Sequence, residues 1–265
     1  MNRRPAEDLR TAAPAAPPVT VPDTEPPLPV DARRNLSFLK IDKGESPATL
    51  DRNRTLARPQ QRLVLSTDPF DARSEKIRVL RTELVLRRDE GEGANIVAVL
   101  SPQPGEGRSQ LAAELAVSFA QLGRPTLLVD ADLRNPVQHI LFGTDNRSGL
   151  SRALADREAP YLRPVESFPG LSLLTAGPRP QNPVELLSDT AFAQMVDSWR
   201  TEFEYVVIDT PPASRFSDGL AVATVAGRVL TVVRAAHTPY AQTREMLRRL
   251  SATQSRIVGA VLNHF

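Results

Sequence analysis

From about residue 95 onward, short continuous apolar runs alternate with longer stretches of helical periodicity. Residues 96–100 form such a run, and its β-branched content is typical of a strand buried on both faces of a parallel sheet. Residues 109–122 repeat apolar positions at helical spacing, and Gly123 suits the C-terminal end of a helix. The same patterns predict further strands at 126–129, 171–174, 205–208, 228–233 and 257–262, and helices near 75–88, 183–202 and 240–250.

This alternation predicts an α/β fold, a doubly wound and mostly parallel sheet formed by residues 68–265 as one domain. Residues 1–67 differ, because eight prolines lie between Pro5 and Pro29 among Ala, Thr and acidic residues. Such a segment cannot bury enough apolar surface to offset chain entropy, so it is predicted to be a disordered tail with at most a short element near 36–41. A docking tether and a simple tail both remain open as its role.

Composition excludes several classes of protein. No apolar run reaches the roughly 20 residues that a membrane-spanning helix needs, and the first ten residues lack the apolar region of a signal peptide. Cysteine is absent, which excludes disulfides, thiolate catalysis and Cys-based metal sites, and fits a cytoplasmic protein. Residues 68–265 hold 22 basic and 23 acidic side chains, a balance that argues against nucleic acid as a partner.

The segment Ser101-Pro-Gln-Pro-Gly-Glu-Gly-Arg-Ser109 joins a predicted strand to a predicted helix. Its glycines let backbone N–H groups face a phosphate, and the helix behind it directs the positive end of its dipole to the same place. Ser109 supplies the hydroxyl that holds Mg²⁺ in the pattern G-x-x-x-x-G-K-[ST]. Pro102 and Arg108 depart from that pattern, because they stand where the first Gly and the Lys are expected.

Carboxylates end two other predicted strands: Asp130 and Asp132 follow the strand at 126–129, and Asp209 follows the strand at 205–208. Open α/β sheets bind their ligands at the carboxyl ends of strands. Two carboxylates near a triphosphate can hold Mg²⁺ or its water, or accept a hydroxyl proton. Each Asp alone can be a simple cap or turn residue, but three strands that converge on a glycine loop predict a nucleotide site.

These motifs resemble those of the bacterial tyrosine kinase (BY-kinase) family, within the MinD/ParA-like P-loop superfamily, over residues 68–265. Residues 101–109 are similar to its Walker A loop, residues 127–136 (Leu-Leu-Val-Asp-Ala-Asp-Leu-Arg-Asn-Pro) to its Walker A′ motif, and residues 209–212 (Asp-Thr-Pro-Pro) to its Walker B motif. The segment 177–187 also resembles the family's mid-domain sequence. The loop arginine and the short C-terminus are most similar to the EpsG-type chain-length-determinant branch. Glu75, Arg78 and Arg81 match the family's E-x-x-R-x-x-R oligomerisation motif, although a salt-bridged surface helix would show the same spacing.

The resemblance implies an ATP- and Mg²⁺-dependent kinase or ATPase that controls exopolysaccharide chain length and export. It further implies a homo-oligomer, such as a ring, that is recruited to the inner face of the plasma membrane by a Wzz-like chain-length partner. Asp130, Asp132 and Arg108 would be catalytic, and Ser109, Asp130 and Asp209 would hold the metal. The nucleotide would contact Pro104, Gly105, Glu106, Gly107, Arg108, Ser109, Gln110 and Asn263. Arg134 would face either charge on a neighbouring subunit or a surface salt bridge.

Two features of the sequence keep other functions open. Arg108 replaces a compact ammonium with a larger planar fork. The family's phosphoacceptor is a C-terminal tyrosine cluster, whereas this sequence ends at Phe265 and contains three scattered tyrosines, so no cluster autophosphorylation is expected. The alternative is a non-catalytic, nucleotide-sensing pseudokinase module. A ParA/MinD-type ATPase is disfavoured by Gln103, which stands where that family has a signature Lys, and dinucleotide binding by the missing third glycine.

Overall fold

The computed structural model describes residues 63, 65, 68–87 and 95–264. The short element predicted near 36–41 and most of the predicted tail lie outside these residues. Leu63 and Leu65, which belong to the predicted tail, are buried against the core. No helix in the described part of the chain is long and apolar enough to cross a membrane.

A seven-stranded sheet forms the centre of the described structure, with the strand order β3-β4-β2-β5-β1-β6-β7. Every neighbouring pair is parallel except β3 and β4, which are antiparallel. The central strands β1, β2 and β5 are buried along their whole length, as their apolar sequences require. The strands are β1 Asn95–Leu100, β2 Thr126–Asp130, β3 Arg163–Pro164, β4 Leu171–Leu174, β5 Tyr205–Asp209, β6 Arg228–Arg234 and β7 Arg256–Asn263.

Helices cover both faces of the sheet, so the predicted doubly wound architecture is confirmed. One face carries α1 and α2, and the other carries α6, α7 and α8, with Trp199 of α6 fully buried. The helices are α1 Ala72–Leu86, α2 Arg108–Ala120, α3 Gln138–Leu141, α4 Leu150–Asp156, α5 Pro183–Ser188, α6 Thr190–Glu202, α7 Asp218–Ala226 and α8 Tyr240–Ser251.

All six predicted strands are present, and most differ from the prediction by one residue at an end. The helix predicted over 183–202 is instead two helices, because Asp189 is extended and its side chain caps α6 by accepting from Ala191 N. Three short helices and β3 were not predicted. The helix α7 gave no periodic signal because its residues are small and apolar on nearly all sides.

Helix α1 is attached to α2, the helix that follows the glycine loop, by buried polar contacts. Arg73 Nε donates to Glu114 Oε2 at 2.9 Å, and Glu114 is fully buried. Arg81 donates to the carbonyl of Ser118 at 2.9 Å. The first predicted oligomerisation residue, Glu75, is exposed and pairs with Arg78 three residues later. Arg81 therefore joins α1 to the core, while Glu75 and Arg78 stay at the surface of the described structure.

Removing the partner of a buried carboxylate lowers the free energy of unfolding, so Arg73→Ala tests how α1 is attached to α2. We expect the variant to lose about 2–4 kcal/mol of unfolding free energy, because among the described residues Glu114 keeps only the Gln110 side chain at 3.1 Å. Arg152→Ala is the matched control, because it breaks an exposed pair with Asp156 and should cost under about 1 kcal/mol. Equal losses in a denaturant titration would contradict the assignment.

Candidate phosphate site at the carboxyl ends of the strands

The strands that carry the sequence motifs are neighbours in the sheet. Strand β5 lies between β2 and β1, and the Cα atoms of Asp130 and Asp209 are register partners. The glycine loop leaves β1 on the other side of β5, and the hydroxyl of Thr210 donates to the carbonyl of Val99 at 2.7 Å. The three motifs therefore meet at one edge of the sheet, as predicted.

The loop between β1 and α2 has a backbone that specifically requires its glycines. Gly105 and Gly107 have φ angles of 75° and 83°, in the left-handed region that side chains disfavour. Helix α2 begins directly afterwards at Arg108, with Gly107 as its N-cap. The first N–H groups of a helix have no intrahelical acceptor, so this turn points free donors and a positive dipole at the space above the loop.

Two predicted nucleotide ligands, Glu106 and Asn263, support the loop from inside the protein. The Glu106 carboxylate accepts from Gln103 N at 2.8 Å and from the Thr238 hydroxyl. Asn263 Nδ2 donates to the Glu106 carbonyl at 3.0 Å. Both side chains are nearly fully buried, at 1% and 8% exposure. They fix the shape of the loop, and a direct contact with nucleotide stays a prediction for them, as it does for Pro104 and Gln110.

Arg108 lies buried at the centre of the site. Its guanidinium donates to Asp209 Oδ1 at 3.2 Å, to Asp132 Oδ2 at 3.3 Å and to the Ser101 hydroxyl at 2.9 Å. The side chain is only 8% exposed. The residue that stands in the Lys position of the loop therefore compensates the charges of two carboxylates from two different strands.

Asp209 and Asp130 are fully buried and close enough to affect each other. Burial raises the pKa of Asp209, and the Arg108 charge together with hydrogen bonds from Gln138 and Ser109 opposes that rise. Burial raises the pKa of Asp130 well above its ordinary range, and the neighbouring Asp209 charge raises it further. Both oxygens of Asp130 accept backbone N–H groups, from Asp132, Val137 and Gln138 at 3.0–3.2 Å.

Asp132 and Arg134 organise the turn that follows β2. Asp132 Oδ1 accepts the N–H groups of Arg134 and Asn135, which leaves Oδ2 to Arg108. Arg134 makes a bidentate pair with the buried Asp218, at 2.7 and 3.1 Å, and its guanidinium lies 4.1 Å from the centre of the Phe216 ring. Of the two predicted roles of Arg134, the structure shows the salt bridge within the chain.

Gln138 is a site residue that the sequence analysis missed. Its side chain is fully buried, and Nε2 donates to Asp209 Oδ2 at 2.8 Å and to the Ser109 carbonyl at 2.9 Å. Eight residues separate it from Asp130, and no familiar spacing marks a glutamine at that distance.

The donor set of the site fits Mg²⁺ rather than a transition metal. Ser109 and Asp209 are joined by a hydrogen bond, and Asp130 lies opposite Asp209 on the next strand, so hard oxygen atoms dominate. The described residues contain no group of three or more metal-binding side chains. Mg²⁺ is commonly held by one or two carboxylates together with substrate phosphates, so this sparse set suits it.

Comparisons with known proteins agree with this geometry. The family model described as ParA, NUBPL iron-transfer P-loop NTPase, matches residues 92–264. The putative tyrosine-protein kinase CapB of Staphylococcus aureus is 31% identical over 203 residues, which cover 76% of this chain and 88% of CapB. The kinase domain of Escherichia coli tyrosine kinase ETK superposes with a TM-score of 0.73 and 31% identity, over 80% of this chain and 82% of that domain.

Another relative is considerably longer than this chain. The putative tyrosine-protein kinase EpsB of Ralstonia nicotianae is 35% identical over 237 residues, which cover 89% of this chain and 30% of EpsB. The chain therefore spans about a third of the length of that relative.

Because the pKa of Asp130 is raised, we expect the free energy of unfolding to depend on pH. The folded state binds the carboxyl proton more tightly than the unfolded chain, so the unfolding free energy falls as pH rises above the ordinary value of 3.8. Asp130→Asn removes this contribution. As pH rises from 3.8 toward the raised pKa of Asp130, we expect the variant to lose less stability than the wild type, by up to about 1.4 kcal/mol per pH unit. Parallel stability–pH profiles from denaturant titrations would contradict this.

Proposed function

Because this chain belongs to the bacterial tyrosine kinase (BY-kinase) family of P-loop NTPases, we propose that it binds ATP with Mg²⁺ and transfers the γ-phosphoryl group to a protein tyrosine. One observation carries the proposal. Arg108, on the glycine loop, contacts Asp132 and Asp209 from two other strands, so the loop and both acidic motifs belong to one site. A glycine loop retained only as part of the fold would not require buried contacts between Arg108 and the two acidic motifs.

The residues divide into groups with different tasks. The N–H groups of the loop and of the first turn of α2 would hold the phosphates, and the Arg108 guanidinium would neutralise their charge. Ser109, Asp209 and Asp130 would hold Mg²⁺, which when bound neutralises negative charge on the β- and γ-phosphates. Glu106, Asn263 and Thr238 keep the loop in shape beneath them.

Asp132 is the best-placed base for the proposed transfer. Both oxygens of Asp130 are occupied by backbone N–H groups, whereas Oδ2 of Asp132 contacts only Arg108 among the described residues. In the transfer, the tyrosine oxygen forms a bond to the γ-phosphorus, and the bond from that phosphorus to the β–γ bridging oxygen breaks. ADP leaves with the bond electrons, and the tyrosine proton passes to the Asp132 carboxylate.

Arg108 also supports a second candidate function, a nucleotide-sensing module without phosphotransfer. Its guanidinium is engaged with three side chains and nearly fully buried, so nucleotide must displace existing contacts to reach it. A large guanidinium held in this way can favour nucleotide binding over phosphoryl transfer.

The matching family model is described as an iron-transfer P-loop NTPase. The sequence has no cysteine to ligate an iron cluster, so we do not extend that role to this chain.

The biological setting is proposed from the relatives and from the sequence motifs. We propose that the chain acts in exopolysaccharide chain-length control, as a homo-oligomer of residues 68–265 that is held at the inner face of the plasma membrane by a Wzz-like partner. The surface location of Glu75 and Arg78 on α1 leaves them available to a neighbouring copy. Analytical ultracentrifugation of wild type and a Glu75→Ala, Arg78→Ala double variant would test the oligomer, which we expect the double variant to lose.

Variants of Arg108 and Asp209 separate binding from turnover. We expect Asp209→Asn to lower Mg²⁺-dependent ATP turnover by about 100-fold or more, because an ionised metal ligand becomes neutral. Arg108→Ala should weaken ATP binding, and Arg108→Lys should retain most of it, because Lys is the phosphate-binding residue that the P-loop pattern has at this position. Turnover is measured by phosphate release, and binding by calorimetry.

The outcomes distinguish the two candidates. Turnover that depends on Asp209 supports the kinase or ATPase, whereas binding without turnover favours the sensing module. The exposed Arg152 serves as the control, because Arg152→Ala removes a surface arginine remote in sequence from the three motifs and should change neither quantity. A wild-type chain that binds no ATP would contradict both functions.

A further inference from the structure

We propose that Gln138 is a positioning residue for Mg²⁺: it orients Asp209 through Nε2 and offers Oε1 to a water molecule of the metal's hydration shell. The inference deepens the proposed Mg²⁺–ATP function and rests on it. It is drawn from a fully buried amide that connects the acidic motifs and leaves one oxygen without a hydrogen-bond partner among the described residues.

Gln138 connects the two acidic strand ends and the helix after the glycine loop. Its backbone N–H donates to Asp130 Oδ2 at 3.0 Å, and its side-chain Nε2 donates to Asp209 Oδ2 at 2.8 Å. The same Nε2 donates to the Ser109 carbonyl at 2.9 Å. One residue therefore contacts all three of the proposed metal-binding residues, and it donates a hydrogen bond to each of the two carboxylates on neighbouring strands.

The orientation of the Gln138 amide is fixed by these contacts. The Ser109 carbonyl can only accept a hydrogen bond, so the amide nitrogen must face it. A flipped amide would place an oxygen against that carbonyl and against Asp209. Oε1 consequently points away from both acceptors, and it is buried without a partner in the described structure.

A buried acceptor without a partner is unfavourable, so a purely structural role does not explain this residue well. The two hydrogen bonds donated by Nε2 explain the amide nitrogen, but no contact in the described structure explains the amide oxygen. Mg²⁺ keeps several of its water molecules when it binds to proteins, and each of those waters needs an acceptor. Oε1, on the residue that holds Asp209, has the chemistry to be such an acceptor.

The test measures how strongly Mg²⁺ is coupled to nucleotide binding in the full chain. The affinity of fluorescent ADP is determined first in EDTA and then across a Mg²⁺ titration. For Gln138→Met, which keeps the volume and loses the amide, we expect the half-saturating Mg²⁺ concentration to rise about 10- to 100-fold, as for other residues that orient a metal ligand. We expect ADP affinity in EDTA to stay within about twofold of wild type, since the loop N–H groups that bind phosphate are untouched.

Gln121 provides the matched control, because it is an exposed glutamine at the end of α2. Gln121→Met should leave both quantities unchanged. If Gln138→Met does not fold, as judged by its thermal unfolding, Gln138→Asn replaces it. The shorter amide cannot reach both Asp209 and the Ser109 carbonyl in the same way, so the same rise is expected.

Three results would overturn the inference, and they are distinguishable. An unchanged Mg²⁺ requirement in a folded Gln138 variant overturns the role of Gln138 alone. An equal loss of ADP affinity with and without Mg²⁺ shows that Gln138 only maintains the shape of the site. A wild-type chain whose ADP affinity does not respond to Mg²⁺ overturns the proposed function together with this inference.

Discussion

The contact of the Arg108 guanidinium with Asp132 and Asp209 is the interaction on which the site depends. Two carboxylates and a cation are held together where water is nearly excluded, so each charge requires the others. The same constraint explains why burial raises the pKa of Asp209 while Arg108 opposes the rise. A phosphate group that enters the site competes with these carboxylates for the guanidinium, and a metal ion would take over its role of compensating their charge.

The sheet imposes this arrangement on the chain. Parallel pairing places Asp130 beside Asp209, and the loop from β1 returns over the same edge before α2 begins. The supports of the loop come from distant parts of the sequence, namely Thr238 after β6 and Asn263 at the end of β7. The carboxyl ends of five strands therefore contribute to one location, and the pairing of these strands is a condition for the function that we propose.

The features that could be predicted are those that depend on residues close together in the sequence. Buried strands such as β1 have continuous apolar runs, and the glycine loop and the acidic strand ends have recognisable chemistry, so the fold and the main site residues could be predicted. The contacts of those residues could not be predicted, because they depend on register and on side-chain direction. Glu106 and Asn263 matched motif positions but support the loop from inside, and Gln138 joins the site only because α3 returns to Asp130. Helix α7 was missed because a short helix that is apolar on nearly all sides has no periodicity to detect.

The central claim is that Arg108 serves a working Mg²⁺–ATP site by exchanging its carboxylate partners for phosphate. A crystal structure of the chain with a non-hydrolysable ATP analogue and Mg²⁺ tests it most directly. We predict that the Arg108 guanidinium contacts a β- or γ-phosphate oxygen, and that Asp209 and Ser109 lie beside the metal. A structure in which nucleotide binds while Arg108 remains on both Asp132 and Asp209 would contradict it.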